Sequence, residues 1–330
     1  MTSDQRLDRG QLLQMAGGFR FACVLGAAAE LDLFSLLDDR SMSAEEVAGR
    51  LKSDLRATAM LLDALAALGL LQKGEGRYSV PAELRRSLVE DSPQTVLPMI
   101  RHQMNLVRTW SQLAAVTQRG EPAKCQPSVR GAEADRAAFV GAMHSVSGPI
   151  ADELVARLGP PKFQHLLDVG GASGTWTLAF LRAVPGSRAT IFDLPDAIAM
   201  AHDRIEQSGL AERVRLVPGD FYSDPLPPGA DLAWVSAIVH QHSRSHNREL
   251  FEKVRAALVP GGRILIRDIV MAADRTRPVE GALFAINMLV NTQSGGTFTF
   301  DELAEDLRAA GFPDPKLLIE DESMNSVVEA

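Results

Sequence analysis

The chain has little cysteine, and its cysteines are not arranged for disulfide or metal chemistry. Two residues, Cys23 and Cys125, are too few for a disulfide framework and do not form a zinc-ligand spacing in a chain of 330 residues. We therefore expect a reduced, cytoplasmic protein. Uncharged apolar runs of roughly 18 residues, the length of a membrane helix, are missing, and the N-terminus lacks an apolar signal core. The sequence thus predicts neither membrane insertion nor export.

An excess of positive charge is also absent. The 34 Lys and Arg residues are outnumbered by 42 Asp and Glu residues, which gives a formal net charge of −8. This balance disfavours general binding to nucleic acid or to anionic membranes. Aromatic residues make up only 5% of the chain, which weakly favours a small aliphatic ligand over a planar polyphenol. With 46% hydrophobic and 23% charged residues the chain is otherwise ordinary for a globular protein, and its length allows two domains.

The most informative stretch runs from His165 to Leu194. An apolar run that contains an acid, Leu166–Val169, predicts a buried strand. A glycine-rich turn follows, then a helix to about Val184, and then a second strand, Ala189–Phe192, closed by Asp193. Turn glycines let backbone amides approach a ligand at the helix N-terminus, and an acid at the second strand end can accept hydrogen bonds from both ribose hydroxyls. The unit predicts an adenosine-like ligand.

The spacing of the glycines narrows the choice of ligand. The dinucleotide fingerprint G-x-G-x-x-G fits no register, because Ala172 and Ser173 interrupt it. The pattern D-x-G-x-G-x-G fits from Asp168 to Gly174, except that Ala172 replaces the middle glycine. It resembles the S-adenosylmethionine (SAM) motif of class I methyltransferases. A tight strand-to-helix turn without a ligand is the alternative that the motif alone leaves open.

The N-terminal part predicts helices and a hairpin. An apolar helix is expected over Gln11–Leu37, and its greasy surface favours burial in a subunit interface over burial within one chain. The sequence S-A-E-E predicts a capped helix over Ser43–Lys52, and Asp54 caps a second helix, Leu55–Leu70. A hairpin over Lys73–Val80 completes the pattern of a winged helix.

A winged helix can bind DNA, but the charge of its second helix argues against that role here. The helix together with its cap, Asp54–Leu70, carries one basic residue, Arg56, and two acids, Asp54 and Asp63. A helix that enters the major groove needs several cations or amides. We therefore interpret the domain as a packing or dimerisation module. A non-catalytic regulatory protein that senses SAM is the remote alternative.

Beyond the winged helix, the chain alternates between helices, loops and strands. Helical connectors are predicted at residues 83–90 and 95–116, a loop at 120–131, and a long helix at 132–158 that Gly148-Pro149 should kink or break, before a domain boundary at Pro160-Pro161. After the central unit, the predicted elements are helices at 196–209, 247–258 and 300–310, strands at 214–217, 231–239 and 263–270, a turn at 260–262, and a closing hairpin at 316–319 and 326–328. This alternation predicts a doubly wound, mainly parallel, Rossmann-like α/β sheet.

Four segments with polar groups follow successive strands of this sheet. They are the Gly170–Gly174 turn, Asp193, the pair Asp220-Phe221, and His240. Ligands of open α/β sheets bind outside the carboxyl ends of the strands. Asp220 can accept a hydrogen bond from an adenine amino group while Phe221 covers a ring face. Together, these four segments predict a binding site.

The chain as a whole resembles the O-methyltransferase family of the plant phenolic, bacterial polyketide and acetylserotonin type. The similarity covers nearly the whole chain and is carried by L-D-V-G-G-A-S-G, I-F-D-L-P, G-D-F-Y, V-P-G-G-R-I-L-I and G-G-T-F-T. It implies a winged-helix dimerisation domain at 1–100, a helical connector at 101–159 that contributes to the substrate pocket, and a SAM-binding methyltransferase domain at 160–330. It further implies a homodimer that methylates a small molecule and releases S-adenosyl-L-homocysteine.

The resemblance also implies the site residues. His240 takes the position of the family's general base, and Asp268, 28 residues later, takes that of the acid which orients the base. Cofactor contacts are expected from Gly170, Gly171, Gly174, Asp193, Leu194, Asp220, Phe221 and Ser236. Substrate contacts are expected from Met143, His144, Met288 and Asn291.

Several positions depart from the family pattern. Gln241-His242 replaces the Asp-Trp that follows the family's histidine, Ser236 replaces a cofactor-contacting lysine of plant members, and Thr297 replaces a further acid near the base. The cofactor half therefore fits the family more closely than the catalytic half. Methyl transfer to sulfur or nitrogen of a small aliphatic substrate, without need of a base, is the alternative to transfer to a hydroxyl.

The clustered histidines do not predict a metal site. His242 and His246 lie one helical turn apart, but no carboxylate or cysteine nearby in sequence completes a site. Loop or surface positions are expected for both. The alternative for His240 is a structural role at a capped strand end.

Overall fold

The computed structural model describes residues 7–92, 94–159 and 161–330, without the side chains at 140, 144–147 and 149. Pro160, half of the predicted Pro160-Pro161 boundary, lies outside the described residues. The chain divides into two compact units. The first holds the residues up to Arg108 together with Cys125–Ser145, and the second holds Thr109–Lys124 and Val146–Ala330.

The chain as far as Arg157 is mainly helical. Its helices are α1 (Arg9–Gly17), α2 (Phe19–Glu30), α3 (Leu33–Leu36), α4 (Ala44–Leu51), α5 (Leu55–Ala67), α6 (Ala82–Leu88), α7 (Leu97–Trp110), α8 (Leu113–Arg119) and α9 (Ala132–Arg157). A small antiparallel sheet in the first unit has the strands β1 (Met42–Ser43), β2 (Gln72–Gly74) and β3 (Arg77–Ser79), in the order β1-β3-β2.

Helix caps and hairpin follow the sequence prediction in this region. Ser43 and Glu46 form both hydrogen bonds of a capping box at α4, and Asp54 caps α5. β2 and β3 pair as the predicted hairpin. The Asp63 carboxylate of α5 accepts a hydrogen bond from the Tyr78 hydroxyl at 2.7 Å, so this acid ties the helix to the hairpin.

The single helix predicted over Gln11–Leu37 is wrong, since three helices occupy that stretch. α1 ends at Gly17, and Asp32 separates α2 from α3 because its φ of 56° lies in the left-handed region. The apolar side chains of α1 and α2 that are more than half exposed are Leu12, Leu13, Met15, Phe19 and Phe21. By length and hydropathy alone, Arg9–Glu30 is the one stretch of the described chain that could cross a membrane, and core helices of soluble proteins and signal sequences meet the same criterion.

Two further helix predictions need correction. The helix expected over 95–116 is two helices, α7 and α8, because the chain turns at Ser111-Gln112. α9 continues through Gly148-Pro149, where a kink or a break was predicted, so the break is wrong. A proline removes one backbone hydrogen bond, and the other turns of a 26-residue helix hold it together.

The second unit is a sheet with helices on both faces. Its strands are β4 (His165–Val169), β5 (Arg188–Asp193), β6 (Val214–Pro218), β7 (Ala230–Ser236), β8 (Leu258–Asp268), β9 (Val270–Met271), β10 (Phe298–Thr299), β11 (Lys316–Ile319) and β12 (Ser326–Glu329). Its helices after α9 are α10 (Thr175–Ala183), α11 (Pro195–Gln207), α12 (Arg244–Ala257), α13 (Val279–Asn291) and α14 (Phe300–Ala309).

The strand order confirms the predicted fold class. The large sheet has the order β6-β5-β4-β7-β8-β12-β11, and only β12 runs antiparallel to its neighbours. β9 and β10 form a separate parallel pair. From β4 the chain adds strands first on one side and then on the other, so a topological switch point lies between β4 and β7. The ligand crevice of such sheets opens at the carboxyl ends of the strands beside this point.

Successive side chains along the central strands pack into two hydrophobic cores, one on each face of the sheet. Leu166 and Trp234 pack with Phe180 of α10, whereas Leu167 and Val235 belong to the cluster on the opposite face. Because side chains alternate across a strand, a strand buried on both faces is a continuous apolar run, as in the sequence.

Three elements of the second unit differ from the prediction. The strand expected over 231–239 ends at Ser236 because Ala237 has a φ of 58°, and a 3-10 turn, Val239–Gln241, follows. His240 therefore lies in that turn, beyond the strand. The turn expected at 260–262 is a bulge within β8, where the register with β7 shifts. The sequence patterns did not predict α13, whereas the closing hairpin of β11 and β12 is confirmed.

Candidate active site

The turn between β4 and α10 leaves no room for a side chain at its three glycines. Gly170 and Gly174 have φ values of 66° and 72°, which favour glycine. A Cβ on Gly170 would lie 2.3 Å from the side chain of Ile238, and one on Gly171 would lie 2.8 Å from the carboxyl carbon of Asp168. The motif glycines therefore bring the backbone close to the neighbouring elements.

The Asp168 side chain, at the start of the motif, packs against the glycine turn at Gly171. Its side chain is buried and accepts a hydrogen bond from the Thr177 hydroxyl at 2.6 Å. Burial raises the pKa of Asp168 to about 7, the Thr177 bond opposes that rise, and the charge of Asp193 adds to it. We therefore assign Asp168 a structural role beneath the glycine turn and no contact with a ligand.

Asp193, at the end of β5, is tied to the glycine turn. Its Oδ2 accepts a hydrogen bond from the Ala172 amide and its Oδ1 accepts one from the Leu194 amide, both at 2.7 Å. Burial raises the pKa of Asp193, and the two amide bonds counteract the rise. Each oxygen keeps a second lone pair, so the carboxylate can still accept from two ribose hydroxyls. The Leu194 side chain beside it is exposed.

The loop after β6 carries Asp220 and Phe221. Asp220 Oδ1 accepts a hydrogen bond from the Tyr222 amide at 2.9 Å, which leaves Oδ2 as an acceptor for a ligand. The Phe221 ring is half-buried and lies 4.9 Å from that of Tyr222. This pair provides an acceptor and a ring surface of the kind that an adenine needs.

His240 and Asp268 meet as the sequence predicts. Nδ1 of His240 lies 2.9 and 3.0 Å from the two carboxylate oxygens of Asp268, and both side chains are buried. The Ile269 amide donates to Asp268 Oδ1 at 2.8 Å and fixes the carboxylate. Because a carboxylate accepts, Nδ1 carries the hydrogen, and Nε2 of the neutral ring is left with its lone pair.

The surroundings of His240 were not predicted. The Phe284 ring of α13 stands edge-on to the imidazole at 4.8 Å. The Gly296 amide donates to the His240 carbonyl at 2.8 Å, and Asn247 Nδ2 donates to the Val239 carbonyl at 2.9 Å. The turn is therefore held by a loop, by α12 and by α13. An apolar run at 279–291 was the available signal for Phe284, whereas nothing local in sequence marks the other two contacts.

Ser236 has a partner that the sequence does not indicate. Its hydroxyl accepts a hydrogen bond from Arg267 Nη1 at 3.1 Å. Arg267 is buried, lies 4.5 Å from the centre of the Trp176 ring, and also donates to Asn325. Burial lowers the pKa of Arg267 to about 10, so that it remains a cation at neutral pH, and the charge of Asp268 opposes the shift. Ser236, which replaces the family's lysine, is therefore hydrogen-bonded to a buried cation, Arg267.

The other departures from the family pattern are neutral groups. Thr297 is buried, and its hydroxyl donates to the Gly281 carbonyl at 3.4 Å. His242 lies in a loop, which is one of the two positions expected, but it is not at the surface: it is buried with Nδ1 2.6 Å from the Tyr222 hydroxyl, and burial lowers its pKa to about 4. His246 is exposed, as expected. Within the described ranges, no group of three metal-binding side chains occurs.

The predicted substrate residues fall on two helices. Met288 is buried on α13, and Asn291 at its end is exposed and donates to Asn287. Met143 is exposed on α9 in the first unit. The side chain of His144 lies outside the described residues. In the second unit, Met288 lies one turn along α13 from Phe284.

The groups at the strand ends fit S-adenosylmethionine. Asp193 offers acceptors for a ribose, Asp220 and Phe221 offer an acceptor and a ring for adenine, and the turn at Gly170–Gly174 offers close backbone approach. When bound, the cofactor would supply a methyl group on a positively charged sulfur.

Comparison with known proteins agrees with this geometry. The profile of the O-methyltransferase domain matches residues 125–313, and that of the O-methyltransferase dimerisation domain matches residues 13–83. The chain is 33% identical to the tetracenomycin polyketide synthesis 8-O-methyltransferase TcmO of Streptomyces glaucescens, over 92% of this chain and 91% of that protein. It is 30% identical to the N,N-dimethyltransferase OxyT of Streptomyces rimosus, over 91% and 90%.

A solved structure extends the similarity to the fold. The crystal structure of human N-acetylserotonin methyltransferase in complex with SAM aligns with a TM-score of 0.81 and 26% identity, over 100% of this chain and 99% of that one. The aligned length includes the dimerisation domain as well as the sheet. The chain therefore belongs to the O-methyltransferase family and is an S-adenosylmethionine-dependent methyltransferase that carries the family's dimerisation domain.

Proposed function

We propose that this enzyme transfers the methyl group of SAM to a hydroxyl group of a small molecule, with His240 as the general base and Asp268 as the residue that orients it. The observation that carries the proposal is the buried pair itself, with Nδ1 2.9 Å from the carboxylate. A residue that only capped a strand would need neither the carboxylate nor the amide that fixes it.

The proposed chemistry needs the protein to take one proton, that of the acceptor hydroxyl. His240 Nε2 accepts the proton of the acceptor hydroxyl as the new O–C bond forms and the S–C bond of the cofactor breaks. Asp268 holds the ring in the required tautomer and stabilises the imidazolium that results. The Phe284 ring, packed against the imidazole, covers part of it from water.

The remaining site residues take the following proposed roles. Asp193 binds the ribose, and Asp220 and Phe221 bind the adenine. The backbone at Gly170, Gly171 and Gly174 approaches the cofactor, with Leu194 and Ser236 as further contacts. For the acceptor we propose Met143, His144, Met288 and Asn291, with residues 101–159 as a connector that contributes to the substrate pocket. The cytoplasmic enzyme is proposed to work as a homodimer.

The acceptor class is tested first, because it decides which kinetics to measure. Purified enzyme with SAM is incubated with a panel of hydroxylated naphthoates and anthraquinones, and with matched aryl amines. S-adenosylhomocysteine and methylated product are measured by mass spectrometry. The proposal expects methyl ethers as products; turnover confined to the amines would contradict it.

The role of His240 is then tested by substitution. His240→Gln keeps size and some hydrogen bonding but removes the base, so kcat for a hydroxyl acceptor should fall about 10²–10⁴-fold with little change in SAM affinity. Asp268→Asn should also lower kcat, and the double variant should be no worse than His240→Gln if the pair acts as a unit. His246→Gln, an exposed histidine of the same segment, is the control. Near wild-type turnover of His240→Gln would exclude the base.

A second candidate is methylation of nitrogen, which the similarity to OxyT favours. An uncharged amine already presents its lone pair, so it needs no base in the step. His240→Gln would then cost little on an amine acceptor while SAM binding stayed intact. The same variant therefore distinguishes the two candidates once an acceptor is known.

A further inference from the structure

The loop that carries Asp220 and Phe221 closes on itself as a single helical turn. The amides of Ser223 and Asp224 donate to the Asp220 carbonyl at 3.0 and 2.7 Å. The Asp224 carboxylate accepts from the Asp220 amide at 2.8 Å, which caps the amide end of the turn. One turn of this kind cannot satisfy its own last carbonyls, because the residues that would donate to them lie beyond it.

Lys253 of α12 supplies donors to those carbonyls. Its Nζ lies 2.6 Å from the Phe221 carbonyl, 2.8 Å from that of Tyr222 and 3.3 Å from that of Asp224. An ammonium group has three N–H donors and no acceptor, so the three contacts use its full capacity. A cation at the carbonyl end of a helical turn is also favoured by the dipole of the turn.

α12 is a firm support for this lysine. Leu250 and Val254, which flank Lys253 along the helix, are buried in the core of the sheet. The loop has a second tie, since the Tyr222 hydroxyl bonds to His242, two residues after His240. Lys253 therefore joins the proposed adenine loop to the helix that begins just after the catalytic turn.

We infer that Lys253 is a positioning residue, which fixes the 220–224 turn so that Asp220 meets the 6-amino group of adenine and gives the enzyme its selectivity for an adenine cofactor. The inference rests on the proposed role of Asp220. Lys253 itself touches only backbone carbonyls, so its effect on the cofactor passes entirely through the position of the turn.

Selectivity for the base is the quantity that tests this role. Binding of S-adenosylhomocysteine and of S-inosylhomocysteine, which has a carbonyl oxygen in place of the 6-amino group, is measured by calorimetry. Wild type should prefer the adenine ligand by about tenfold or more, because one hydrogen bond to a carboxylate distinguishes them. In Lys253→Met, affinity for the adenine ligand should fall about tenfold while affinity for the inosine ligand changes little, so the preference approaches one.

Two variants complete the design. Lys253→Arg keeps donors on a long side chain and should retain most of the preference. Lys316→Met removes an exposed lysine of β11 that pairs with Asp314, and it should match wild type for both ligands. If Lys253→Met does not fold, as judged by thermal unfolding, Lys253→Gln, which has two N–H donors on a shorter side chain, takes its place.

The outcomes separate this inference from the proposed adenine contact. Equal affinity of the wild type for both ligands would overturn the role of Asp220 and, with it, that of Lys253. A wild type that discriminates, together with a Lys253→Met variant that discriminates equally well, would overturn the role of Lys253 alone. Equal weakening of both ligands in Lys253→Met would do the same, since it would show general loosening without a change in selectivity.

Discussion

Two carboxylates, Asp193 and Asp220, carry the proposed cofactor contacts, and Asp193 is tested first. If Asp193 binds the ribose as proposed, Asp193→Ala removes those acceptors and also the partner of the Ala172 amide, so SAM binding should weaken by about 1–3 kcal/mol. Calorimetry measures the change directly. Asp203→Ala, at an exposed position on α11, is the matched control. Unchanged affinity of Asp193→Ala would remove the assignment of this strand end.

Asp168 makes stability depend on pH. Its pKa is about 7 in the folded chain, against an ordinary value of 3.8. Between those values the folded state keeps a proton that the unfolded state has released, so the free energy of unfolding falls as pH rises through this window and levels off above it. Asp168→Asn cannot ionise and still offers an acceptor to Thr177. Its stability gain over wild type should therefore grow from about pH 4 to about pH 7 and then stay constant.

Thermal unfolding without cofactor, across that pH range, checks this prediction. The wild-type and Asp168→Asn melting temperatures should diverge as pH rises. Two curves that stay parallel would show that the Asp168 carboxyl group has an ordinary pKa in the folded chain.

At the scale of elements, the sequence predicted the helices and strands that are marked by their own residues. Ser43 and Asp54 mark helix starts by their own side chains, and the double-sided strands are apolar runs. β7 ends at Ser236, before Ala237, and an alanine gives no sequence signal for the positive φ that this residue has. α13 is apolar around most of its circumference, and its polar residues Glu280, Asn287 and Asn291 form only one narrow stripe, which is a weak signal for a helix.

The proposed catalytic pair and the residues that support it show the same difference between local and non-local signals. His240 and Asp268 were predicted because a family resemblance supplies their spacing of 28 residues. Phe284, Asn247 and Lys253 reach the site across the fold from α12 and α13. No periodicity or motif records such contacts, since each depends on how two elements pack.

The loop before β10 provides a test of how firmly the His240 turn is held. A Cβ on Gly295 would lie 2.5 Å from the His240 carbonyl, whereas one on Gly296 meets nothing within 4 Å. Backbone atoms cannot rotate away, so Gly295→Ala should cost about 1–3 kcal/mol of stability and lower kcat by shifting the turn. Gly296→Ala keeps the amide that donates to His240 and should resemble wild type. Melting temperature and methyl transfer, measured on both variants, would contradict this prediction if the two behaved alike.

At the scale of the whole molecule, the apolar stretch Arg9–Glu30 has two possible partners, a second copy of the chain or a lipid bilayer. It is apolar enough for either, and 17% of its most apolar window is buried. The dimerisation-domain match at 13–83 includes most of it, which favours the second copy. The net charge of −8 also disfavours an anionic membrane surface.

The last prediction follows from that choice. If α1 and α2 form the subunit interface, the enzyme should sediment with the mass of two chains at micromolar concentration. Burial of a leucine or phenylalanine contributes about 2 kcal/mol, and twofold symmetry makes each substitution count twice. Leu13→Glu combined with Phe21→Glu should therefore give a monomer, whereas Leu318→Glu, an exposed apolar position on β11, should leave the dimer intact. A wild-type monomer that binds neutral phospholipid vesicles, and loses that binding in the double variant, would assign this stretch to a membrane instead.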